Sequence, residues 1–311
     1  MAASHTIDGY ELLAEDDHTD AFVAYRAQRK GNETHVRLIL FDEDVSDSPQ
    51  FRAAFRKDQP SLKTMHHPHL LSPISWGEEG GLLYYVAEYP PGCSLADRLA
   101  VNATITWDEF IDLGWQIASA LQHAHNVGIT HGHLTTSLVS VSDEIRSKVM
   151  GFGLHRWIAA ANSEDPVEPS FAERAIHDLT DFGHILEAVF HSLSPETMQN
   201  VEPDQVTAMT ALIKDLQHPA ADLLARDIQG RLGDMLLQVS GEKIEMVDHR
   251  EGQHLNHRSL VDELFDEPTT NETSHAAPTE PQPATSSTRT IAIVIAIALA
   301  AILALVAFLN R

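Results

Sequence analysis

The sequence predicts an α+β protein with a C-terminal membrane-spanning helix. Three observations support that prediction. Segments rich in β-branched and aromatic residues occupy the first hundred residues, helical periodicity dominates from residue 107 onward, and an apolar run lies near the end of the chain. Strands that precede helices, instead of alternating with them, are typical of α+β folds.

The strand predictions rest on three segments: AFVAYRAQ (21–28), HVRLILF (35–41) and LLYYVAEY (82–89). Each carries β-branched and aromatic residues between polar turns. A helix, QFRAAFRKDQPSLKTM (50–65), follows the second segment. Pro60 is expected to kink or break that helix, because proline lacks an amide hydrogen and its ring clashes with the preceding turn.

Two longer helices are predicted in the second half. Thr106 and Glu109 form a T-x-x-E capping box before an amphipathic stretch that Gly128 ends. A second amphipathic stretch, DLTDFGHILEAVFHSL (178–193), has the same periodicity. We assign residues 8–241 to one globular domain.

The tail has two parts. Residues 242–289 are acidic and rich in Pro, Ser and Thr, a composition that favours a flexible linker. Nineteen uninterrupted apolar residues run from Ile291 to Leu309. At about 1.5 Å per residue they match the ~30 Å hydrocarbon core of a bilayer, so we predict a transmembrane helix over 290–309. The N-terminus has no signal-peptide pattern, so a single-pass protein of the cytoplasmic membrane, with its domain in the cytoplasm, is expected.

Two smaller patterns lie within the tail. The segment HRSLVDELFDE (257–267) places apolar residues on one helical face, which indicates either a transient helix or a docking motif. Small residues recur every fourth position in the membrane segment, and such stripes allow helices to associate. That pattern also arises by chance in alanine-rich anchors, so dimerisation stays a hypothesis. The stripe consists of Ala292, Ala296, Ala300 and Ala304.

Composition excludes some functions. The formal net charge is -24, from 45 acidic and 21 basic side chains, and this charge disfavours nucleic-acid binding. The single cysteine, Cys93, cannot form an intramolecular disulfide and suits a reducing compartment. Nineteen histidines raise the possibility of a metal site, but no zinc-binding helix motif accompanies them, so none is expected.

Five segments have a recognisable order and spacing. They are FRKDQPSLKTMHHPHLLSP (55–73), LLYYVAEYPPGCSLADRLA (82–100), ALQHAHNVGITHGHLTTS (120–137), KVMGFGL (148–154) and DLTDFGHILEAVF (178–190). Together they resemble the eukaryotic-type Ser/Thr protein kinase family in its bacterial form. The resemblance covers about residues 8–241 and implies a two-lobed protein-kinase-like fold, with a strand-rich N-lobe and a helical C-lobe.

The resemblance also implies where catalytic residues should lie, and each such position carries another residue. The family's H-R-D-L-x-x-x-N loop reads H-G-H-L-T-T-S-L here, so the base aspartate falls on His133 and the metal-binding asparagine on Leu138. The aspartate of the D-F-G triplet falls on Gly151. The phosphate-binding lysine falls on Ile39, and its helical glutamate partner falls on Asp58, which is then expected to lack a cation.

The family's glycine-rich loop aligns with LAEDDHTDAFVAY (13–25), which contains no glycine and four carboxylates. Carboxylates repel phosphate, and magnesium requires oxygen ligands that the aligned positions lack. Binding of ATP and magnesium is therefore not expected, and no cofactor is predicted.

The structural positions of the family are kept. Leu62, His131 and Phe152 align with its regulatory apolar column. Gly153 keeps the third position of the triplet, and Asp178 aligns with the aspartate that holds the catalytic loop.

These observations predict a membrane-tethered pseudokinase that binds proteins, such as an active kinase, its substrate or a copy of itself. The alternatives are a divergent Ser/Thr protein kinase that uses displaced residues, and a protein that binds nucleotide without turnover. Arg37 is a candidate substitute for the missing lysine, and Asp143 and Glu144 are the nearest substitute carboxylates, although they align with a surface turn.

Overall fold

A computed structural model of the chain describes residues 6–31, 33–162 and 169–247. The predicted transmembrane helix, the segment 257–267 and the alanine stripe lie outside the described residues. Within the described ranges, no helix is both long and apolar enough to cross a membrane. The last described helix ends at Val247, so it extends past residue 241, the predicted domain boundary.

The N-terminal part is an antiparallel sheet that contains the three predicted strands. Its strands are β1 (Thr6–Ile7), β2 (Tyr10–His18), β3 (Phe22–Arg29), β4 (His35–Phe41), β5 (Pro73–Glu79) and β6 (Leu82–Glu88). They are ordered β1-β2-β3-β4-β6-β5. In the segment aligned with the glycine-rich loop, residues 13–18 lie in β2, 19–21 in the turn and 22–25 in β3.

Helices dominate the remainder of the described chain, as expected. They are α1 (Glu43–Asp47), α2 (Pro49–Leu62), α3 (Leu95–Ala100), α4 (Trp107–Asn126), α5 (Leu154–Ala161), α6 (Phe171–Ser192), α7 (Pro195–Gln199), α8 (Pro203–Gln217) and α9 (Ala225–Val247).

The prediction that Pro60 interrupts the second of these helices was wrong. α2 continues through Pro60 to Leu62. Pro60 lies in the last turn, where one missing amide removes a single intrahelical bond and few turns follow to be displaced. The amide of Lys63 still donates to the carbonyl of Gln59, 3.3 Å away.

Capping boxes start both helices that the sequence predicted in the second half of the domain. In α4, the amide of Glu109 donates to Thr106 Oγ1 at 3.3 Å, and the amide of Thr106 donates to Glu109 Oε2 at 2.8 Å, as predicted. α6 begins at Phe171, earlier than the predicted start at residue 178. The cause is a second capping box, formed by Ser170 and Glu173, which extends the helix toward the N-terminus.

A small second sheet positions the loop 131–138, which aligns with the family's catalytic loop. Its strands are β7 (Cys93–Ser94), β8 (Val139–Val141) and β9 (Ser147–Val149), in that order. The loop 131–138 precedes β8 and ends in a 3-10 turn over Thr136–Leu138, and the G-F-G triplet follows β9. Because β8 and β9 pair in an antiparallel arrangement, the loop before β8 and the G-F-G triplet after β9 lie side by side.

Candidate functional site

The loop 131–138 is held by a fully buried carboxylate on α6. Asp178 Oδ2 accepts from the amide of His131 at 2.8 Å, and Asp178 Oδ1 accepts from the amide of Gly132 at 2.7 Å. His125 Nε2 lies 2.7 Å from Asp178 Oδ2. We call these four residues the Asp178 cluster. Asp178 occupies the loop-holding position that the sequence assigned to it.

His131 joins the loop to the G-F-G segment. Its Nε2 lies 2.8 Å from the carbonyl oxygen of Met150, and its ring makes an edge contact with Phe152, with ring centroids 5.0 Å apart. Burial lowers the pKa of His131, against the opposing charge of Asp178. A neutral ring donates from Nε2 to the Met150 carbonyl. Leu62 is buried in the same core as Phe152, as an apolar column requires.

The two positions aligned with metal ligands lie close together. Gly151 has φ +90°, and a Cβ at this position would lie 3.9 Å from Leu138 Cδ2 and 3.9 Å from His131 Nε2. The structure thus brings the two aligned positions into one site. Neither side chain carries an oxygen, and the positive φ disfavours aspartate at this position.

His133, at the position of the family's base, is exposed to solvent. Its ring stacks on His155, with centroids 5.2 Å apart. Burial lowers the pKa of His155, and the neighbouring His133 lowers it further. Asp143 and Glu144 lie exposed in the turn between β8 and β9. The two rings therefore form a stacked pair beside the loop.

The strand position of the missing lysine is apolar and buried. Ile39 on β4 pairs in register with Ala24 and Tyr85 and belongs to the main core. The guanidinium of Arg37 lies 3.7 Å from the carboxylate of Asp17 on β2. Arg37 was a candidate substitute for the missing lysine, and the carboxylate that it meets is Asp17.

In the turn between β2 and β3, a side chain of the turn accepts hydrogen bonds from the backbone amides. Thr19 Oγ1 accepts from the amides of Ala21 at 3.3 Å and Phe22 at 3.2 Å. In a glycine-rich loop these are the groups that approach phosphate. Here they are already paired, and the neighbouring exposed residues include Asp17 and Asp20.

The expectation that Asp58 lacks a cation was wrong. Arg156 on α5 forms an ion pair with Asp58 Oδ2, and Trp157 Nε1 donates to the same oxygen at 2.8 Å. We call these three residues the Asp58 cluster. Asp58 is 7% exposed, and a neighbouring cation offsets the cost of removing a carboxylate from water.

Trp157 fixes α5 against α2. It is fully buried, with ring centroids 4.8 Å from Phe55 and 5.8 Å from Tyr85. Gly153 makes this packing possible, because a Cβ there would lie 2.6 Å from Trp157 Cζ2. The sequence identified Trp157 as a core residue and missed its hydrogen bond. The sequence analysis did not identify Arg156 as the cation beside Asp58.

Three histidine side chains lie together at another place, two from the loop that follows α2 and one from α4. The rings of His67 and His123 stack with centroids 5.1 Å apart, and His69 lies 5.5 Å from His67. Burial lowers the pKa of His67 to about 4, with smaller effects from the two neighbours. Across the described residues, no group of three or more His, Cys, Asp or Glu side chains has an arrangement that could hold a metal.

Comparison with known proteins decides the family. A family model described as protein tyrosine and serine/threonine kinase matches residues 11–170, just over half of the 311 residues. The chain belongs to this kinase family. The resemblance inferred from the sequence is thereby confirmed at the level of the family.

Bacterial relatives of this kinase-family chain are Ser/Thr kinases by name. It is 26% identical over 195 residues to a probable serine/threonine-protein kinase of Clostridium acetobutylicum, covering 63% of this chain and 27% of that protein. It is 28% identical over 122 residues to the serine/threonine-protein kinase PrkC of Bacillus subtilis, covering 39% and 18%. The chain thus spans less than a third of the length of these relatives.

A solved structure supports the two-lobed fold. The kinase domain of PknI from Mycobacterium tuberculosis superposes with a TM-score of 0.58 at 17% identity, covering 76% of this chain and 99% of that domain. The prediction of a strand-rich part followed by a helical part in a protein-kinase-like fold is confirmed.

Proposed function

We propose that this kinase-family chain is a pseudokinase, a membrane-tethered module that binds proteins in cytoplasmic signalling and does not transfer phosphate. The observation that carries the proposal is that Leu138 and Gly151 lie close together. These positions should supply oxygen ligands to magnesium, and they meet without a side-chain oxygen. Magnesium prefers near-octahedral oxygen coordination, so the residues present do not fit a magnesium–nucleotide complex.

The strand position aligned with the lysine and the turn between β2 and β3 support the same proposal. Phosphoryl transfer depends on positioned cations and backbone amides. Ile39 offers no cation, and the amides of Ala21 and Phe22 are bonded to Thr19. The cation nearest the family's helical glutamate position, Arg156, is used by Asp58.

The second candidate is a divergent Ser/Thr protein kinase. The names of the bacterial relatives favour it, and His133 is an exposed group that can accept a proton at the base position. This candidate requires another source of metal ligands. Asp143 and Glu144 are the nearest carboxylates in the sequence and lie in an exposed turn.

A ligand-dependent unfolding experiment separates the two. The full chain, purified in detergent, is melted with and without millimolar ATP, in magnesium or in EDTA. A ligand at 100 times its dissociation constant stabilises the native state by about 2.7 kcal/mol, a visible shift. The pseudokinase proposal expects no shift in either condition. A magnesium-dependent shift, followed by phosphate transfer to a protein substrate, would establish the kinase instead.

A paired substitution sharpens the result. Leu138→Asn with Gly151→Asp places oxygen ligands at both metal positions. We expect no gain of magnesium-dependent ATP binding, because φ +90° strains the introduced aspartate and the lysine position stays apolar. PrkC of Bacillus subtilis serves as the positive control for the assay. Restored binding would mean that these two positions alone account for the loss.

The membrane tether and the partner class belong to the same proposal. The run 290–309 would hold the domain at the bilayer, and the linker would raise the effective concentration of a bound partner near the membrane. Fractionation of cells that express the full chain tests the tether. Release of the chain to the soluble fraction by carbonate washing would contradict an integral anchor.

A further inference from the structure

Three exposed imidazole rings lie where the loop 131–138 meets α5 and α6. His133 belongs to the loop, His155 to the first turn of α5 and His177 to α6. The rings of His133 and His155 stack with centroids 5.2 Å apart. Burial lowers the pKa of His155, and of the charges that face it, His133 and His177 lower that pKa while Asp181 raises it. We call the three histidines the imidazole cluster.

One carboxylate, Asp181, faces the imidazole cluster. It lies four residues after His177, on the same face of α6, and its Oδ2 accepts a hydrogen bond from the amide of Leu134 at 2.9 Å. With its three rings protonated, the cluster together with Asp181 carries a charge of about +2. That charge offsets the charge of a phosphate monoester dianion.

The imidazole cluster suits an anion better than a metal ion. The rings of His133 and His155 are inclined by only 27°, so their nitrogen atoms do not converge on one point. Across the ranges that the structure describes, no group of three or more His, Cys, Asp or Glu side chains could hold a metal. A protonated imidazole donates hydrogen bonds from both ring nitrogens, and a phosphate group has several oxygens to accept them.

The backbone beside the cluster leaves the binding of an anion to the imidazoles and to α5. The loop amides of His131, Gly132 and Leu134 already donate to carboxylates of α6. α5 starts beside the loop at Leu154, and its N-cap residue, Gly153, makes no side-chain hydrogen bond. The N-terminus of a helix favours a nearby negative charge, so α5 adds to the attraction that the imidazoles exert.

We propose that the imidazole cluster binds the phosphate group of a phosphorylated serine or threonine on a partner protein. The aspartate that the family pattern places at residue 133 would repel such a group, whereas a histidine can donate a hydrogen bond to it. The inference rests on the proposed function and deepens it, because it names the chemistry by which the chain would recognise a partner. A substrate of an active kinase carries this group after phosphate transfer.

Binding of this kind depends on pH. A bound dianion favours the protonated form of the imidazoles, so binding takes up protons and strengthens as pH falls from about 8 to about 6. Below about pH 6 the phosphate group itself takes up a proton and loses part of its charge. We therefore expect the affinity to be highest near pH 6 and about tenfold or more weaker near pH 8.

A phosphoserine peptide tests the proposal. The fluorescein-labelled peptide GAASAAG, phosphorylated on its serine, is titrated with the full chain in detergent, and fluorescence anisotropy reports binding at pH 6 and pH 8. We expect saturable binding that weakens with salt and that the unphosphorylated peptide does not show. Inorganic phosphate should displace the peptide only at an excess of about tenfold or more, because the peptide also contacts the exposed loop.

Variants of His133 connect the binding to the cluster. His133→Asp should weaken binding by about tenfold or more at pH 6, because it places a negative charge in the site. His133→Gln, which removes one titrating ring, should reduce the difference between pH 6 and pH 8. The matched control is His66→Asp in the exposed loop after α2, which makes the same charge change outside the cluster and should leave binding unchanged.

Three outcomes would overturn the proposal. The first is equal binding, or no binding, of the phosphorylated and unphosphorylated peptides at pH 6. The second is equal affinity of wild type, His133→Asp and His66→Asp, with each variant shown to be folded by its melting curve. The third is displacement of the peptide by an equal concentration of inorganic phosphate, which would identify the ligand as a free phosphate ion and not a partner protein.

The result can be separated from that of the nucleotide experiment. The ATP melting curves are recorded at pH 8, where the imidazoles are neutral and attract ATP phosphates least. A chain that binds neither ATP nor the phosphopeptide overturns only this inference. A magnesium-dependent ATP shift followed by phosphate transfer overturns the pseudokinase proposal, whether or not the phosphopeptide binds.

Discussion

Two buried carboxylates, Asp178 and Asp58, lie at positions that align with the kinase pattern, and they bind different kinds of partner. Asp178 accepts hydrogen bonds from backbone amides of the loop 131–138. Asp58 pairs with a cationic side chain. The strand residue aligned with the family's lysine is Ile39, and the cation comes from α5, through Arg156.

The two carboxylates differ in what they require of their partners. Asp178 bonds to backbone amides, whose positions depend on the chain path and not on side-chain identity. Asp58 needs a positive side chain, and any element that reaches it can provide one. In this chain Asp178 therefore holds the loop 131–138, while Asp58 connects α2 to α5.

The largest effect is expected at the Asp178 cluster. Asp178→Ala leaves two loop amides without their acceptor in a buried site, and should lower the free energy of unfolding by about 3–5 kcal/mol. Chemical denaturation of the full chain measures the change. Asp178→Asn, which keeps the shape and one acceptor oxygen, is the control and should cost less. A loss below about 1 kcal/mol for the alanine variant would mean that the cluster does not hold the loop.

The Asp58 cluster should show a smaller, pairwise effect. A double-mutant cycle with Asp58→Asn and Arg156→Gln should give a coupling free energy of about 1–3 kcal/mol, because the pair is largely shielded from water. The cycle is needed since Arg156 has further interactions. The exposed pair Arg231–Asp215 provides a reference cycle and should give less than about 1 kcal/mol. Equal coupling in the two cycles would contradict the comparison.

The packing of Trp157 can be tested through Gly153. Gly153→Ala places a methyl group 2.6 Å from the Trp157 ring and forces alanine into φ +79°, so a loss of about 1–3 kcal/mol is expected. Gly128, which has φ +81° and open space around it, is the matched control, because Gly128→Ala carries the backbone strain alone. Equal losses at both positions would show that Trp157 does not restrict residue 153.

The smallest effect concerns pH and the histidines beside α4. The pKa of His67 is lowered from 6.5 to about 4 in the folded chain. Between about pH 6.5 and 4, His67 is therefore protonated in the unfolded chain and neutral in the folded chain. Stability attributable to His67 is thus present above pH 6.5 and is lost as pH falls toward 4. After allowance for solvent screening the loss is about 1 kcal/mol.

The groups that lower this pKa besides burial are His69, His123 and Lys148. His67→Gln retains a partner for Ser119 Oγ, which lies 3.2 Å from His67 Nε2, and removes the titration. The difference in unfolding free energy between wild type and His67→Gln should change between pH 6.5 and 4. A constant difference across that window would refute the assignment.

Much of the architecture was readable from periodicity and caps. The Thr106–Glu109 box located the start of α4 correctly, because capping depends on residues three apart and on little else. The prediction at Pro60 failed because its penalty depends on where the helix ends, and that end is set by the packing of Leu62 in the core.

The sequence by itself determined the family, the order of strands and helices, and the alignment of five positions with the family's catalytic residues. Those properties depend on residue identity and local spacing. Only the tertiary structure decided that Arg156 and Trp157 serve Asp58, that Leu138 and Gly151 are in contact range, and that His155 stacks on His133. Such pairings join residues up to about a hundred positions apart, and the packing of the helices, not the spacing along the chain, brings them together.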